Sequence, residues 1–422
     1  MSLFSLALKS AKNRKTSLLL AMLCIAISVF LLIGIDKIRK EVKSSFLNTI
    51  SQTDLIVGAR SGSINLLLYS VFHIGSATNN ITWDSYQNIA NDKKVKWSIP
   101  LSLGDSHRNY RVIGTSADFF THYRYASAKP LALQKGKVFS TPFEVVLGQS
   151  VASKLGYHIG DKIILSHGLV SSQFSSHKES PFVIVGILES TLTPIDSGLY
   201  VALEGLDAIH EGWSLGSYNE ASKKLLKLTQ SGKGAKKQPK QITAFLLGLN
   251  NKIHTFSFMR EITNYKKEAL LAILPGATLA DLWRSIGNFE QILRVISYLV
   301  LFASITTLLI VLLSTLHLRR REMTILRCLG ARYYHIFGLY LFESLLVIVM
   351  GVLFALGCFY LGIFLAKPWL ASAHNLHIAL TFLDSEQMFM VLFCILIGAV
   401  VSLIPGLIAY KKSLLDGLRI NT

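Results

Sequence analysis

The stretch HLRRREMTILRCLG, residues 317–330, lies between two long apolar segments and indicates how the chain is organised around a membrane. Three consecutive arginines, Arg319, Arg320 and Arg321, end the preceding apolar segment abruptly. Short connectors rich in arginine and lysine remain on the cytoplasmic side of a membrane. The same connector carries an apolar stripe at helical spacing: Met323, Ile325, Leu326 and Leu329. A short cytoplasmic helix with one apolar face needs a surface that buries that face, and we expect a protein partner to supply it.

Composition places the chain among integral membrane proteins. Of its 422 residues, 51% are hydrophobic and 16% are charged, and both fractions are unusual for a soluble protein. A spanning helix needs about 20 mostly apolar residues, and four segments fit: residues 18–35, 295–318, 336–366 and 388–409. A signal peptide is the alternative for the first segment, but Asp36 and Lys37 follow it where small residues would precede a cleavage site. We therefore predict four uncleaved spans.

Basic residues predict the orientation. They are concentrated in both tails and in the connector between the second and third spans: Lys9, Lys12, Arg14, Lys15, Arg319, Arg320, Arg321, Arg327, Arg332, Lys411, Lys412 and Arg419. The connector of residues 367–387 has one basic residue, Lys367, against Asp384 and Glu386. Both termini and the arginine-rich connector are therefore expected inside, and residues 37–285 outside. Topology explains much of the net charge of +18, so we expect no nucleic-acid partner.

The outer segment, residues 37–285, is long enough for one large or two small domains. Its patterns are mixed, with strands expected at residues 54–57, 97–103, 110–114, 144–147, 162–165, 182–188, 198–203 and 242–249, and helices at 83–90, 149–155, 206–210 and 256–274. We expect two subdomains, the second inserted near residues 116–240. Residues 214–240 are basic and poor in apolar residues, which predicts a mobile loop, with contact to an anionic lipid or ligand as the alternative. Helical stalks are expected at residues 37–51 and 279–294.

The chain offers little catalytic or metal chemistry of its own. It has no G-x-x-x-x-G-K-[ST] phosphate-binding loop, and its outer segment has no cysteine for a disulfide or a thiolate metal site. Ser214 is the centre of a G-x-S-x-G motif, but a nucleophile elbow turns from a strand into a helix. Here a helix-like run comes first and a polar loop follows, which favours a plain turn.

The histidines are scattered along the chain. His374 and His377 form the tightest pair, and an interfacial polar loop is favoured there over a metal site. The outer segment includes His167, His177 and His210, for which a zinc contact is left as the alternative. We therefore expect no metal site in this chain.

Glu343 is the one clear ionisable residue within a predicted span. An intramembrane carboxylate is a candidate functional residue by default. It lies about two helical turns, or roughly 10 Å, from the cytoplasmic end of its span. Pairing with an arginine of the connector or with a neighbouring helix is favoured, and proton or ion relay is the alternative.

Small residues in two spans suit close contact between helices. They are Ala21, Ala26 and Ser28 in the first span and Gly351, Ala355 and Gly362 in the third. Contact between two subunits and packing within one subunit are equally compatible with this pattern.

In combination, these motifs resemble the MacB/FtsX-type ABC permeases. In that family a basic R-R-E-x-x-x-L-R-x-L-G-A run joins the second and third spans, and residues 320–331 match it. The resemblance extends to IGTSADFF (113–120), FEVVLGQSVASKLGYHIGDKI (143–163), FVIVGILESTLTPIDSGLYVAL (182–203), the tail of residues 405–419 and the amphipathic start LFSLALKSAKNRK. The chain has no fused ATPase domain of the MacB kind, and in this it is similar to the lipoprotein-release and cell-division permeases.

The resemblance implies four transmembrane α-helices with a large α/β extracytoplasmic domain inserted between the first and second. The expected order is an amphipathic cytoplasmic helix (1–16), the first span (17–36), the extracytoplasmic domain (37–285), a stalk and second span (286–318), a cytoplasmic coupling helix (319–335), the third span (336–366), an outer loop (367–387), the fourth span (388–410) and a cytoplasmic tail (411–422). The implied location is the bacterial cytoplasmic (inner) membrane.

The resemblance also implies the partners. A second copy or a paralogue completes a dimer, and each subunit docks a cytoplasmic ABC ATPase that alone holds ATP and magnesium. This chain is expected to bind no cofactor and to catalyse no reaction. The residues expected to dock the ATPase are Arg320, Glu322, Ile325, Leu326, Arg327, Leu329 and Gly330.

Three hypotheses for function follow. The first is a permease that exports or extracts an amphiphile, such as a lipid, a lipoprotein or a peptide. The second is a transmitter of mechanical motion that regulates an outer enzyme or accessory protein without transport. The third is a membrane-bound enzyme or sensor with its own site in the outer segment.

Overall fold

The computed structural model describes residues 15–167, 180–210, 213–214, 217–218, 238–318, 332–374 and 382–415. The chain divides into two compact units. The helical unit consists of Met1–Glu41, Gly287–Trp369 and Ile378–Thr422, and the inserted domain consists of Val42–Ile286 with Leu370–His377. The predicted amphipathic start, residues 1–14, lies outside the described residues.

The described residues form ten α-helices and seventeen strands. The helices are α1 Lys15–Leu47, α2 Ser63–Val71, α3 Trp83–Ala90, α4 Asp118–His122, α5 Gln149–Leu155, α6 Leu203–His210, α7 Thr255–Thr263, α8 Pro275–Leu318, α9 Tyr333–His374 and α10 Ser385–Leu415. The strands are β1 Leu55–Ala59, β2 Ile81–Thr82, β3 Val95–His107, β4 Tyr110–Thr115, β5 Arg124–Tyr125, β6 Lys129–Pro130, β7 Leu133–Gly136, β8 Glu144–Leu147, β9 Lys162–Ile163, β10 Ser166–His167, β11 Phe182–Leu188, β12 Gly198–Ala202, β13 Trp213–Ser214, β14 Ser217–Tyr218, β15 Gln241–Ile242, β16 Ala244–Leu249 and β17 Leu270–Ile273. Two 3-10 helices, Pro194–Ser197 and Lys252–His254, complete the described elements.

Four of the described helices are long and apolar enough to cross a membrane: α1, α8, α9 and α10. This confirms the four spans expected from composition. Each helix continues beyond its apolar segment, and α9 does so past Pro368. Thus α1 runs through the expected stalk to Leu47, and α8 already begins at Pro275, since proline is tolerated at the first position of a helix.

Helices α9 and α10 extend into the two ends of the outer loop expected at residues 367–387. The third long helix, α9, ends at His374 rather than near residue 366, so the first part of the expected loop is helical. The last helix, α10, begins at Ser385. Here the backbone N–H of Gln387 donates to Asp384 Oδ1 at 2.9 Å, which is the side-chain capping that starts a helix.

The inserted domain is built on one large sheet. Within the described residues it has eleven strands, nine of them in the order β17-β1-β16-β3-β4-β12-β8-β11-β7, with β10 beside β3 and β9 beside β11. The pairs β4–β12 and β8–β11 are parallel, and the other neighbouring pairs are antiparallel. The sheet is continuous through β4 and β12 into the strands of residues 116–240, and the division into two subdomains stays a prediction.

Apolar runs form the middle of this sheet because both of its faces are covered. Strands β1, β12 and β16 are buried along their whole length. Successive side chains of a strand point to opposite faces. Accordingly, Ile56 packs in a cluster with Leu66 of α2, whereas Val57 packs in another with Phe258 of α7.

The prediction of a helix at residues 256–274 is wrong for the second half of that range. The helix α7 ends at Thr263, and Leu270–Ile273 forms strand β17, with Ile273 paired to Ile56 of β1. Local sequence could not separate these outcomes, because a short apolar run fits either a helix or a buried strand. Residues 270–273 form a strand because β1 has an open edge, and the unpaired backbone groups of a buried strand need hydrogen-bond partners.

Candidate functional site

The predicted coupling helix lies almost entirely outside the described residues. Its seven expected docking residues all fall in the interval 319–331, which the structure does not describe. The described flanks are α8, which ends at Leu318, and α9, which begins at Tyr333. The last three residues assigned to the coupling helix, 333–335, therefore belong to α9. The docking role of the connector stays a prediction.

Glu343 lies inside the helical unit rather than on its lipid-facing surface. Its side chain is 5% exposed, and the neighbouring Ser344 is fully buried. Ionisable side chains within membranes commonly face the bundle interior in this way. The candidate arginines of the connector lie outside the described residues, so the predicted pairing stays untested.

A pair of serines joins the first two spans at their centre. Ser28 of α1 and Ser304 of α8 are buried, and their Oγ atoms lie 2.5 Å apart. Ser304 Oγ also lies within hydrogen-bonding distance of the carbonyl oxygens of Cys24 (3.0 Å) and Val300 (2.9 Å). Hydroxyls that bond across helices are a common means of association in membranes. This contact links α1 to α8 within one subunit.

The small residues of the first and third spans pack against each other in the same subunit. A Cβ atom built on Gly351 would lie 3.1 Å from the Met22 carbonyl oxygen and 3.1 Å from Ile25 Cγ2. Ala21 and Ala355 are 0% and 1% exposed in the shared core. The described structure therefore uses these residues for packing within the subunit, whereas a Cβ on Gly362 would meet no atom within 4 Å.

Charged side chains form a cluster at one end of the helical unit, where α1 and α8 lead into the inserted domain. We call this the domain end. Its members come from three helices and from the residue before α10: Asp36, Arg39, Lys40, Glu290, Arg294, Asp384, Glu386 and Gln387. The cluster is the largest group of paired charges in the described part of this unit. We regard it as the candidate functional site.

Asp36 is the buried centre of the cluster. Its side chain is 6% exposed, and Oδ1 accepts a hydrogen bond from Arg39 at 2.9 Å. Oδ2 accepts from Gln387 Nε2 at 3.1 Å and lies 3.1 Å from Lys40 Nζ. A buried carboxylate is tolerated when cations and hydrogen-bond donors surround it. Asp36 therefore ties α1 to the start of α10.

Glu290 connects α1 to α8 at the same end. Its Oε1 accepts from Arg39 at 2.6 Å and from Arg294 at 2.9 Å. Charge-assisted hydrogen bonds of this kind are roughly twice as strong as neutral ones. Because Arg39 also bonds Asp36, a single guanidinium couples two carboxylates on different helices.

Lys40 completes the link to α10. Its Nζ lies 2.6 Å from Asp384 Oδ2 and 2.6 Å from Glu386 Oε2. The hydrogen bond from Lys40, followed by one from the Gln387 backbone, lowers the pKa of Asp384 below its ordinary value. The carboxylate is therefore held in its charged form. Together these contacts fasten the domain ends of α1, α8 and α10 to one another.

Sequence reasoning did not single out this cluster. Its signal was present, since Asp36, Arg294 and Glu386 each mark the place where an apolar segment gives way to charged residues. The residues are far apart in the chain, and only the packing of three helices brings them together. A search for residues of opposite charge at the same membrane-facing ends of different spans would have found these residues.

The alternative chemistry considered for the inserted domain is not assembled in the described residues. Ser214 lies in β13, which pairs with β14 in a two-stranded ribbon. His210 Nε2 lies 3.0 Å from Asp105 Oδ2. No group of three or more possible metal ligands occurs in the described residues, which do not include His177 or His377.

Comparison with known proteins identifies the class. The profile of the MacB-like periplasmic core domain matches residues 18–228, and that of the FtsX-like permease C-terminal region matches residues 294–414. A sequence search of curated proteins found no match.

Two solved structures align with part of the chain. The periplasmic region of MacB from Actinobacillus actinomycetemcomitans is 12% identical with a TM-score of 0.33, and the alignment covers 57% of this chain and 96% of that one. The extracellular domain of the noncanonic ABC-type transporter YknZ from Gram-positive bacteria is 13% identical with a TM-score of 0.30, covering 52% and 98%.

The two profiles cover the first span with most of the inserted domain and the last three spans, and the chain belongs to the MacB/FtsX family of ABC transporter permeases. It is a permease subunit with four membrane-spanning helices and a large extracellular α/β domain between the first and second. It is accordingly a multi-pass protein of the inner membrane.

Proposed function

We propose that this permease couples ATP hydrolysis by a separate cytoplasmic ATPase to movement of its extracellular domain, for export or extraction of an amphiphile. The observation that carries the proposal is the continuity of α8. It runs from Pro275, beside the sheet of the inserted domain, to Leu318 at the arginine-rich connector without a break. At 1.5 Å per residue such a helix is about 66 Å long, so it can act as a lever between the two sides of the membrane.

The contacts between α1 and α8 support a paired lever. The serine pair Ser28–Ser304 joins the two helices near their centre, and Arg39–Glu290 joins them at the domain end. Motion that begins at the connector would then reach the inserted domain through two helices together.

The direction of coupling requires both termini and the connector to be cytoplasmic. The distribution of basic residues supports this orientation. A reporter fused after Ser231 is expected to be external, whereas reporters after Ala331 and Thr422 are expected to be cytoplasmic. A cytoplasmic signal after Ser231 would contradict both the orientation and the docking of an ATPase.

ATPase docking is assigned to the connector because its apolar stripe needs a partner and the chain has no phosphate-binding loop of its own. Burying a leucine stabilises a contact by roughly 1.5–3 kcal/mol. The double variant Leu326→Glu, Leu329→Glu is therefore expected to lose at least about tenfold in ATPase capture. The single variant Leu326→Glu adds one negative charge to the apolar stripe, and Thr324→Glu, which adds one to the opposite face of the predicted helix, is its matched control.

The assay is capture of the ATPase subunit by the tagged permease, with protease resistance of the inserted domain as the test of folding. Undiminished capture by the folded double variant would leave the alternative that the connector only anchors the turn in lipid. In that case the coupling proposal fails.

We also propose a dimer with a second copy or a paralogue. Because the small residues of α1 and α9 are used within the subunit, the contact is expected on the outward faces of α1 and α8. Ile27 and Phe302 are 55% and 69% exposed there. Cysteines at these two positions, in a Cys24→Ala background, are expected to cross-link between subunits, whereas Leu396→Cys on α10 (56% exposed) is the control.

The second candidate function is mechanical regulation of an outer enzyme or accessory protein without transport. It is favoured by the packed interior of the helical unit, where Leu308 and Ala21 are fully buried among apolar neighbours. Substrate-stimulated ATPase activity of the complex in liposomes would support transport. ATP-dependent activation of a co-purifying outer protein, without such stimulation, would support regulation.

A further inference from the structure

A cleft of about 440 Å³ opens at the domain end of the helical unit. Its walls include Asp36, Arg39, Arg294, Glu386, Phe389 and Met390. This volume lies within the range of roughly 300–1,000 Å³ that is usual for ligand sites. A smaller adjoining cavity shares Arg294 and Met390 with the cleft and extends it past Leu32 and Tyr298. The cleft therefore combines charged walls with an apolar wall, which Phe389 and Met390 supply.

The cleft lies at the height where the membrane ends. Asp36 follows the apolar segment of α1, Arg294 precedes that of α8, and Glu386 precedes that of α10. Phe389 and Met390 come one helical turn further into the span of α10. Phospholipid headgroups occupy this level of a bilayer, with acyl chains directly beneath. An amphiphile can thus place both of its parts in the cleft at once.

Two charges of opposite sign remain accessible in the cleft. The side chains of Arg294 and Glu386 are 47% and 66% exposed, and they come from α8 and α10. Asp36 and Arg39, at 6% and 28%, are committed to the contacts that hold the helices together.

Each accessible group keeps bonding capacity. Arg294 donates one hydrogen bond to a described residue, Glu290, through Nη2, and Glu386 contacts Lys40 through Oε2. The remaining guanidinium N–H groups and the second carboxylate oxygen have no partner among the described residues. A ligand that offers both an anionic and a cationic group would satisfy them together.

We propose that this cleft binds a zwitterionic phospholipid headgroup of the phosphoethanolamine type. The phosphate accepts hydrogen bonds from Arg294, the ammonium group donates to Glu386, and the upper part of an acyl chain lies against Phe389 and Met390. A purely anionic headgroup would leave Glu386 facing a like charge, and a purely cationic amphiphile would meet Arg294. Paired charges of opposite sign select for the zwitterion.

A phospholipid in this cleft would be the substrate of the proposed export function. That bound lipid is cargo rests on the proposed function, whereas the binding of lipid does not. Binding itself needs neither ATPase nor ATP. If the ATPase fails to dock while lipid occupies the cleft, the coupling proposal fails and the lipid site stands. If the ATPase docks and the cleft stays empty of lipid, only the present assignment fails.

The test is photolabelling of the full-length protein in detergent micelles. The probe is phosphatidylethanolamine with a photoreactive group on an acyl chain, and labelled peptides are identified by mass spectrometry. Label is expected on the peptide that contains Phe389 and Met390. Unlabelled phosphatidylethanolamine should displace the probe. Phosphatidylglycerol should be about tenfold less effective as a competitor, since it lacks the ammonium group and one charge-assisted contact is lost.

Two further competitors test whether the headgroup or the acyl chains of the lipid are recognised. Diacylglycerol has the chains without the phosphate, and glycerophosphoethanolamine has the headgroup without the chains. Neither is expected to displace the probe at the concentration at which phosphatidylethanolamine does. Equal competition by diacylglycerol would overturn headgroup recognition. Displacement by glycerophosphoethanolamine alone would overturn the lipid assignment in favour of a soluble phosphate compound.

Variants of the two accessible charges complete the design. Arg294→Gln is expected to reduce labelling about tenfold, and Arg294→Lys should retain part of it because the positive charge remains. Glu386→Gln should weaken the binding of phosphatidylethanolamine. In this variant phosphatidylethanolamine and phosphatidylglycerol should displace the probe equally well. Arg284→Gln is the control, because Arg284 lies on the same helix with an 81% exposed side chain. Unchanged labelling in a folded Arg294→Gln variant, or label spread evenly over all four spans, would overturn the proposal.

Discussion

Ser28 and Ser304 place their hydroxyl oxygens 2.5 Å apart in the middle of the helical unit, although 276 positions separate them in the chain. Both hydroxyls reach the carbonyl oxygen of Cys24 as well, at 3.0 Å each. The polar groups of this contact satisfy one another within an apolar core. It fixes the relative height of α1 and α8, on which the charged contacts at the domain end depend.

Replacing Ser304 with alanine should loosen this contact. Hydrogen bonds between membrane helices contribute about 0.6 kcal/mol on average and up to about 1.7 kcal/mol. Ser304→Ala is expected to lower the melting temperature in detergent, measured by the reaction of the buried Cys394 with a thiol-reactive dye. Ser314→Ala removes a bond only within α8, to the Val311 carbonyl, and should have little effect. Equal melting of the two variants would contradict the linking role of Ser304.

Replacing Gly351 tests the packing of α9 against α1. A leucine there must displace Ile25 and the backbone at Met22, and overpacking of this kind costs typically about 1–3 kcal/mol. Gly357→Leu on the same helix is the matched control, because a Cβ at Gly357 meets no atom within 4 Å. The stability of Gly351→Leu in detergent should fall well below that of Gly357→Leu. If the control proves equally damaging, the contact with α1 is not the cause.

Removing Asp36 should separate the domain ends of the helices. Asp36→Ala leaves Arg39, Lys40 and Gln387 without their shared acceptor, and we expect a loss of about 1–3 kcal/mol, because the two cations retain access to water. Hydrogen exchange is expected to quicken at the start of α10. Asp281→Asn is the control, since its 3.4 Å pair with Arg284 is exposed and such pairs contribute at most about 1 kcal/mol. Unaltered exchange in Asp36→Ala would argue against the cluster as a fastening.

Asp196 should be the anchor of the turn before β12 in the extracellular domain. It is 2% exposed and accepts from the backbone N–H groups of Thr191 and Leu192 and from the hydroxyls of Thr191 and Ser190. Asp196→Ala strands these donors, at a cost of about 1–3 kcal/mol for a buried group. Hydrogen exchange of residues 190–198 in the full-length protein should accelerate. Within the described residues the exposed Asp118 accepts a hydrogen bond only from Ser116, and Asp118→Asn should not reproduce this effect.

The extracellular domain should lose stability in mild acid in part because of His107 and in part because of His73, whose pKa burial lowers to about 4. Burial lowers the pKa of His107 below its ordinary value of 6.5, and the nearby Arg108 adds to the effect, which outweighs the hydrogen bond to the Ile164 carbonyl oxygen. The unfolded chain therefore binds a proton more readily than the folded one. Stability should be complete above pH 6.5 and fall as the pH drops toward the lowered pKa.

The measurement is the melting temperature of the full-length protein between pH 8 and pH 5. His107→Gln should flatten the decline below pH 6.5. His158→Gln should leave it unchanged, because the His158 side chain is 84% exposed. A decline of the same slope in all three proteins would assign the acid sensitivity to other groups.

The sequence by itself determined the four spans, the place of the inserted domain and several of its elements. The helices Trp83–Ala90 and Gln149–Leu155 and the strands Glu144–Leu147 and Phe182–Leu188 occur with the bounds expected from their patterns. These elements are determined locally, because the length of an apolar run and its period depend on neighbours in the chain. Family motifs, which are also local, indicated the permease class.

Only the tertiary structure decided the features that depend on distant partners. Leu270–Ile273 became a strand because β1 had an open edge, and Gly351 proved to be a packing residue because Ile25 lies opposite it. The charged cluster and its cleft exist because three helices place Asp36, Arg294 and Glu386 at one height. The sequence of a single segment shows its own period and polarity but not which residue of a distant segment will contact it. That contacting residue determines whether a charge is buried, paired or accessible to a ligand.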